Sequence, residues 1–499
     1  MAELDIHPKD SHNAELLALT HPEGWENPTP EGRYNLVVIG GGTAGLISAM
    51  GAAGLGGRVA LVEKHMMGGD CLNWGCVPSK ALISAARRAH QARQAADWGI
   101  VTGEVRVDFP AVMERMRRLR THIAHHDSFE RVRSMNIDTY QGAARFTSPN
   151  TIEVGGQELR FSKAVIATGA QAYIPPISGV EEIDALTNET LFQLTDLPEH
   201  LVVIGGGPIG CEMAQAFRRF GAQVTLVDMA DRVLSKDDPE AAAVVQAQLK
   251  AEGITLRLGA TVERFSRDSG DKVAHLGDGT EIRGDAFLLA VGRRANVTGL
   301  GLEEGSVEYD RKGIKVDDSL RSLTNPDVYA AGDVAGRWQF THAADEMARI
   351  VVQNALFFGR RRLSDAVMPW ATYTDPEVAH VGITHTEAAE REDVSAFTVP
   401  FAGVDRSILE GETQGFVRLY ADKKGAFLGG TIVGEGAGSM IGELSVALNG
   451  GVSMGTLAGS IHPYPVQSDA IKKAGGAWNK TRLTPTAATV LNALLRIRR

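Results

Sequence analysis

The sequence predicts an α/β fold built on two Rossmann-like dinucleotide-binding units. Three observations predict it. Leu36-Val37-Val38-Ile39 reads as a buried strand that runs into Gly40-Gly41-Gly42-Thr43-Ala44-Gly45. The same unit recurs at Leu201-Val202-Val203-Ile204 and Gly205-Gly206-Gly207-Pro208-Ile209-Gly210. Between the copies lies a glycine-rich run that carries two of only three cysteines, Gly68-Gly69-Asp70-Cys71-Leu72-Asn73-Trp74-Gly75-Cys76-Val77-Pro78-Ser79-Lys80.

In the first unit, a small-residue helix from Leu46 to Leu55 follows the glycines. A second strand, Val59-Ala60-Leu61-Val62, then ends at Glu63. This is a complete strand, glycine turn, helix, strand and acid. Gly40 makes the turn, Gly42 lets backbone approach a pyrophosphate, and Gly45 allows close helix packing. The helix N-terminus faces the phosphates, and Glu63 is placed to accept from ribose hydroxyls. In the second unit Gly205, Gly207 and Gly210 take these places, and Val224-Thr225-Leu226-Val227 ends at Asp228. The first glycine and the acid are 23 positions apart in both copies. A lone fingerprint is a weak signal, whereas two in full strand-helix-strand context are a strong one.

Cys71 and Cys76 suit a short, strained disulfide at the start of a helix. There the helix N-terminus favours a thiolate. A structural zinc site needs about four ligands, and no second Cys or Cys/His cluster has the spacing. A staple across so short a loop constrains little of the unfolded chain. Cys211 reads as a small apolar residue packed in a helix. Two nucleotides and a redox dithiol define an electron path. The first unit would hold FAD and the second NADH or NADPH, with electrons ending on the disulfide. Asp228 accepts from a ribose 2′-hydroxyl and repels a 2′-phosphate, which favours NADH; nearby Arg232 moderates the preference.

At 499 residues the chain is too long for one core. The hydrophobic fraction of 43% and charged fraction of 22% are those of a globular enzyme. A net charge of -10 argues against general nucleic-acid binding. There is no apolar run long enough for a transmembrane helix. The start, Met1-Ala2-Glu3-Leu4-Asp5, lacks an apolar signal core. Few cysteines point to a reducing cytoplasm, where a disulfide cycles instead of stapling.

Taken together these motifs resemble the flavoprotein, or pyridine nucleotide-disulfide, oxidoreductases, the family of lipoamide dehydrogenase, glutathione reductase and mercuric reductase. Ala167-Thr168-Gly169 with Pro175 is similar to the family's turn between FAD and nicotinamide domains. Leu289-Ala290-Val291-Gly292-Arg293-Arg294 resembles the strand that leaves the nicotinamide domain. Val328-Tyr329-Ala330-Ala331-Gly332-Asp333 resembles the second FAD motif, and Tyr373 to Ala379 the first strand of a C-terminal interface domain. The resemblance implies a third, α+β dimerisation domain and a homodimer that shares its active site between subunits. The domains it implies are an N-terminal extension (1–33), an FAD domain in two parts (34–180 and 298–368), an NAD(P) domain (181–297), the interface domain (369–480) and a tail helix (481–499).

It also implies roles. Cys71 would be the outer thiol that exchanges with substrate, and Cys76 the inner thiol beside the flavin. Lys80 would lie near the flavin and pair with Glu212. Gly69, Thr168, Gly169, Gly332 and Asp333 would line the FAD site, with Asp333 on the ribityl chain. Gly292 would border the nicotinamide site.

Three departures bear on the substrate. Pro208 stands where relatives often carry an aromatic gate. At Ser460-Ile461-His462-Pro463-Tyr464-Pro465-Val466-Gln467-Ser468-Asp469, alignment on Pro465 puts Tyr464 in place of the acid/base histidine and Asp469 in place of its glutamate. An alternative alignment makes His462 the base, but with no carboxylate at the usual offset. A tyrosine with a pKa of about 10 is a poor base at neutral pH. Mercuric reductases have tyrosine here. They also carry a C-terminal cysteine pair and a separate N-terminal metal-binding domain, whereas no cysteine follows Cys211.

Residues 1–33 read as a short helix, Ala14 to Leu19, and an irregular arm that lies on a partner subunit or stays disordered. Arg115, Arg117, Arg118, Arg120, His122, His125 and His126 read as a solvated helix face. Pro485 to Arg499 reads as a surface or dimer-packing helix. Three functions are compatible with the sequence. One is reduction of a small disulfide or soft metal ion. A second is NAD-linked oxidation of a dithiol such as dihydrolipoamide. The third is a flavin-dithiol relay to a protein partner.

Overall fold

The structure is a computed structural model that describes residues 4–268 and 270–499. Met1-Ala2-Glu3 of the N-terminal reading lie outside the described residues. The chain forms two units. The first comprises residues up to Gly205, Ala216–Gln223 and Val262–Ala366; the second comprises Gly206–Gln215, Val224–Thr261 and Val367–Arg499.

The first unit is built on a seven-stranded sheet. The chain enters through α1 (Ser11–Thr20) and passes into β1 (Arg33–Ile39). It returns through α2 (Thr43–Gly54) to β2 (Val59–Glu63), in parallel register Val37↔Ala60. β3 (Ile137–Gln141) extends the sheet past β2, and Gln157–Ile166 pairs parallel with the other side of β1. Leu36, Val37, Val38 and Ile39 are all buried. A continuous apolar run is what a parallel strand covered on both faces requires, and each such side chain contributes about 1.5–3 kcal/mol. Val328–Ala330 pairs parallel with Gln157–Ile166 and delivers Gly332 and Asp333 to the same edge as the glycine turn.

The described part of the N-terminal arm is ordered against its own chain. Ile6 and Leu16 are fully buried in a cluster with Met66, Leu72 and Ala124. Trp25 packs edge-on against Phe129 at 5.0 Å and donates to the Thr139 carbonyl at 3.0 Å. Asn27 exchanges both amide hydrogen bonds with the backbone of Gln141, at 3.1 and 2.7 Å. β3 ends the sheet, so the arm covers an edge strand that would otherwise expose its ladder groups.

The basic helix also departs from expectation. In α5 (Phe109–Ala124), Arg117 and Arg120 are buried instead of solvated. Asp10 explains Arg117: one carboxylate oxygen caps α1 by accepting from the Asn13 N–H, and the other accepts from Arg117 Nε at 2.6 Å. Arg120 donates to Asn13 Oδ1 at 2.7 Å and to the Asn73 carbonyl at 3.0 Å. Burial lowers its pKa to about 10. Long side chains at i and i+3 on the core-facing side carry their charge inward because the arm brings partners to meet them.

The second fingerprint has the predicted elements. Strand His200–Ile204 pairs parallel with Ala286–Leu289, and Gln223–Asp228 with Thr255–Leu258. Helix Pro208–Phe220 follows the glycines. Cys211 is fully buried there, and burial raises its thiol pKa well above the ordinary value. In the second unit a five-stranded antiparallel sheet, Trp370–Thr372, Glu377–Gly382, Phe427–Gly434, Phe416–Asp422 and Val394–Pro400, packs with helices Ala437–Asn449 and Asp469–Thr481 around a core that includes Phe401, Leu419, Leu444 and Trp478. This is the α+β element expected at the C-terminal end. Among the described residues no helix is long and apolar enough to cross a membrane.

Candidate active site

Both glycine turns are enforced by close approach. Gly40 has φ +107°, and a Cβ there would stand 2.4 Å from the Ala167 carbonyl oxygen; Gly205 has φ +115°, with a Cβ 2.4 Å from the Ala290 carbonyl oxygen. A Cβ on Gly45 would fall 1.7 Å from the Gly40 carbonyl oxygen, so only glycine lets α2 start there. The two acids also behave alike. Glu63 accepts from the Gly41 N–H (2.5 Å) and the His65 N–H (2.6 Å). Asp228 accepts from the Gly206 N–H (2.5 Å) and the Ala230 N–H (2.7 Å). Each carboxylate therefore ties the middle of its glycine turn to the end of its strand.

The residues fit a dinucleotide. Gly42 caps α2 without a side chain, which leaves the helix N-terminus to an anionic ligand. Gly42 and Gly69 meet so closely that a Cβ on Gly69 (φ +57°) would lie 2.6 Å from Gly42 Cα, and the Gly68 N–H donates to the Gly41 carbonyl at 2.8 Å. These contacts draw the cysteine stretch onto the phosphate turn.

Cys71 lies in α3 (Gly69–Asn73), and Cys76 is the first residue of α4 (Cys76–Arg93), as a helix-start thiol was expected to be. Both are free thiols; Cys71 is half-buried and Cys76 exposed. Of the two, Cys76 is the one whose surroundings favour ionisation. The hydrogen bond from Cys71 lowers its pKa to about 6, against partial desolvation of the sulfur by its neighbours, with help from the Thr341 hydroxyl and the Lys80 charge. The same hydrogen bond, then burial, pushes Cys71 well above its ordinary value. Thr341 Oγ1 lies 3.3 Å from Cys76 Sγ, at the start of helix Thr341–Leu356. Lys80 follows Cys76 by one turn of α4.

A charge cluster adjoins the thiols. Arg293 Nη2 lies 3.3 Å from Asp70 Oδ2, and its Nε lies 3.3 Å from Asp333 Oδ2. Its guanidinium also donates to the Ala170 carbonyl at 2.6 Å. Asn188 holds the other Asp70 oxygen at 2.8 Å. Burial raises the Asp333 pKa although Arg293 opposes it. Thr168 and Gly169 sit beside this cluster; the Thr168 hydroxyl donates to the Asn296 carbonyl at 2.7 Å, and Gly169 has φ +65°. Gly332 and Gly292 take positive φ as well, at +78° and +124°.

In the second unit, buried Glu212 accepts from the Tyr373 N–H at 2.8 Å. Gly207 and Gly210 belong to its glycine turn. Tyr464 is 78% exposed, and its hydroxyl donates to Asp405 Oδ2 at 2.9 Å. That bond to a carboxylate raises its pKa above the ordinary tyrosine value. His462 is half-buried, with Nε2 3.0 Å from Glu443 Oε1. Sequence spacing offered His462 no carboxylate; the fold supplies one from the neighbouring helix, 19 positions earlier. Asp469 pairs instead with Lys473, at 3.1 Å.

Sequence reasoning missed Asp70, Asn188 and Thr341. Asp70 carried a signal, since it directly precedes Cys71 in the quoted run. Thr341 and Asn188 carried none, because Thr341 reaches Cys76 from 265 positions away and Asn188 reaches Asp70 from 118.

Two nucleotide turns and a pair of thiols at adjoining helix starts define a dithiol–disulfide oxidoreductase that draws on bound nucleotides. The chain belongs to the pyridine nucleotide-disulphide oxidoreductases: that family matches residues 34–348, and its dimerisation domain matches 368–475. It is an FAD-dependent enzyme of this class. A mercuric reductase of Lysinibacillus sphaericus is 34% identical over 455 residues, covering 90% of this chain and 83% of the relative. A dihydrolipoyl dehydrogenase of Bacillus subtilis is 32% identical over 461 residues, covering 88% and 97%. The HOCl-induced flavoprotein disulfide reductase RclA from Escherichia coli superposes with a TM-score of 0.81 at 29% identity, covering 89% of this chain and 99% of RclA. A copper(II) complex of RclA matches with the same score and identity, covering 90% and 100%.

Proposed function

We propose that this enzyme uses NADH in preference to NADPH to reduce the Cys71–Cys76 disulfide, and that the dithiol then reduces a small disulfide or a soft metal ion. Bound FAD would supply two-electron transfer between nicotinamide and disulfide. Gly40, Gly42, Gly45, Glu63, Gly69, Thr168, Gly169, Gly332, Asp333 and Lys80 would hold it. Gly205, Gly207, Gly210, Asp228 and Gly292 would hold the nicotinamide nucleotide. Overall, NADH gives up a hydride and becomes NAD⁺, one further proton enters, the sulfur-sulfur bond breaks and two thiols form. Re-oxidation returns both electrons to the acceptor, giving two thiols from a disulfide or neutral metal from a divalent ion.

The observation that carries this direction is Tyr464. Its hydroxyl is committed as a hydrogen-bond donor to Asp405, and the raised pKa keeps it protonated at neutral pH, so it is not a base that takes a proton from a dithiol. Tyr464 and His462 lie in the segment matched by the dimerisation domain, so we further propose a homodimer in which they act on the partner subunit's dithiol. Lys80 and Glu212 are proposed as a functional pair at the flavin.

The His462–Glu443 pair favours a second reading, dithiol oxidation with NAD⁺, since a carboxylate that orients an imidazole is what such a base needs. A substrate panel separates the two: mercuric ion, glutathione disulfide, lipoamide and quinones, each with NADH and NADPH. The first reading expects turnover of mercuric ion or a disulfide that falls in Tyr464→Phe. Robust dihydrolipoamide oxidation, abolished in His462→Gln and untouched in Tyr464→Phe, would establish the second instead.

A further inference from the structure

The family match ends at residue 475, and the chain continues into an amphipathic helix, Pro485–Ile497. Ala487, Val490, Leu491, Leu494 and Leu495 fall at i, i+3, i+4, i+7 and i+8, on one face. Thr486, Thr489, Asn492 and Arg496 take the opposite face. The apolar face is uncovered: Leu491 is 49% exposed, Leu495 62% and Ile497 81%. A surface helix ordinarily spends such a face on a core.

The charge around it is one-sided. From Lys480 onward the sequence has Lys480, Arg482, Arg496, Arg498 and Arg499 and no Asp or Glu, in a chain of net charge -10. An open cavity of 520 Å³ lies at the end of the preceding helix, Asp469–Thr481, lined by Lys423, Lys424, Arg482, Ser453, Thr481 and Trp478. Asp422 stands at its turn but spends a carboxylate oxygen on the Lys424 and Ala426 N–H groups. The Arg482 guanidinium lies over the Trp478 ring at 5.3 Å.

We propose that residues 480–499, together with this basic cavity, dock the enzyme on the surface of an anionic phospholipid bilayer. Leu491, Leu494 and Leu495 would enter the interface while the arginines and the cavity meet phosphate headgroups. An apolar face alone binds membranes weakly, and a basic patch alone binds them reversibly, but the two together give stable attachment. The helix is roughly 20 Å long, enough to lie in the interface and too short to span it. A second copy of the same segment fits less well, because it would set five cations against five.

The test is co-sedimentation of the full-length holoenzyme with vesicles of phosphatidylcholine alone or mixed with phosphatidylglycerol, alongside size-exclusion chromatography. Binding is expected on the mixed vesicles only, with solution oligomeric state and NADH-dependent turnover unchanged in every variant. Near an anionic surface each arginine is worth about fivefold, so Arg496→Gln, Arg498→Gln and Arg499→Gln together should weaken binding about 100-fold. Leu491→Glu with Leu495→Glu should remove it. Absence of binding to mixed vesicles, equal binding to neutral ones, or binding unaffected by both variants would overturn the proposal. So would a leucine variant that dissociates the oligomer, because the face would then be a contact between copies.

Discussion

Cys76 should titrate first, and Thr341 should be part of the reason. With a pKa near 6, its thiolate outnumbers its thiol about tenfold at pH 7. At the ordinary thiol value of 9.0 it would be about 1% ionised, so the site makes the thiolate the major form at pH 7 where a free thiol would be almost wholly protonated. Thr341→Val removes one hydrogen bond while keeping the volume. Bonds to charged groups contribute about 1.5–3 kcal/mol, and exposure of Cys76 cuts this to about 1 kcal/mol, somewhat under one pKa unit. The midpoint should rise by somewhat under one unit, and the thiolate fraction at pH 7 should fall with it. The assay is alkylation of the fully reduced protein by brief iodoacetamide pulses across the pH range, with fragmentation mass spectrometry to separate Cys71 from Cys76. Wild-type protein should label Cys76 with a midpoint near 6 while Cys71 and Cys211 stay protected. Labelling of Cys71 ahead of Cys76, or one shared midpoint near that of free cysteine, would refute the assignment.

Asp70→Asn should lower the Cys76 midpoint further, because the Asp70 charge raises both thiols; the same alkylation profile reads it. Gly45→Ala places a methyl against the Gly40 carbonyl oxygen and should cost about 3 kcal/mol, at the upper end for overpacking, with flavin content of purified protein as the readout. Asp10→Ala strands buried Arg117 and should cost about 2–3 kcal/mol by denaturant unfolding, below the value for a fully buried pair because Asp10 is partly exposed. Burial works to raise the Asp10 pKa, but the Asn13 N–H and Arg117 outweigh it and hold it below the usual carboxylate value. Its stabilisation is therefore complete above about pH 4 and is lost as pH falls through the lower folded value; the mutant's stability should flatten in that window.

What was legible in the sequence was local. The glycine turns, Glu63 and Asp228 each sit within one strand-helix-strand unit, where backbone geometry dictates residue type. Cys76 at a helix start was legible for the same reason. Arg117 and Arg120 were misread because a charge run on a helix looks solvated until its partners are known, and Asp10 and Asn13 lie 107 positions away. His462 has no carboxylate at the offset where relatives keep one, and the fold brings it Glu443 from helix Ala437–Asn449, 19 positions earlier. Asp405, which settles the tyrosine's behaviour as a donor, is 59 positions from Tyr464 and left no mark on its spacing.

Arg120 has a practical consequence. It bridges Asn13, in an arm that precedes the family's own domain, and the carbonyl of Asn73, which lies between the two cysteines. The first thirty residues look expendable to anyone trimming the chain to its recognisable domains. Removing them would strip the buried Arg120 guanidinium, which also holds the Asn73 carbonyl inside the redox stretch, of its Asn13 partner and bare the β3 edge. A shortened enzyme should therefore not be used as a proxy for the dithiol chemistry of the whole chain, and affinity tags are better placed where they leave Asp10 and Asn13 undisturbed.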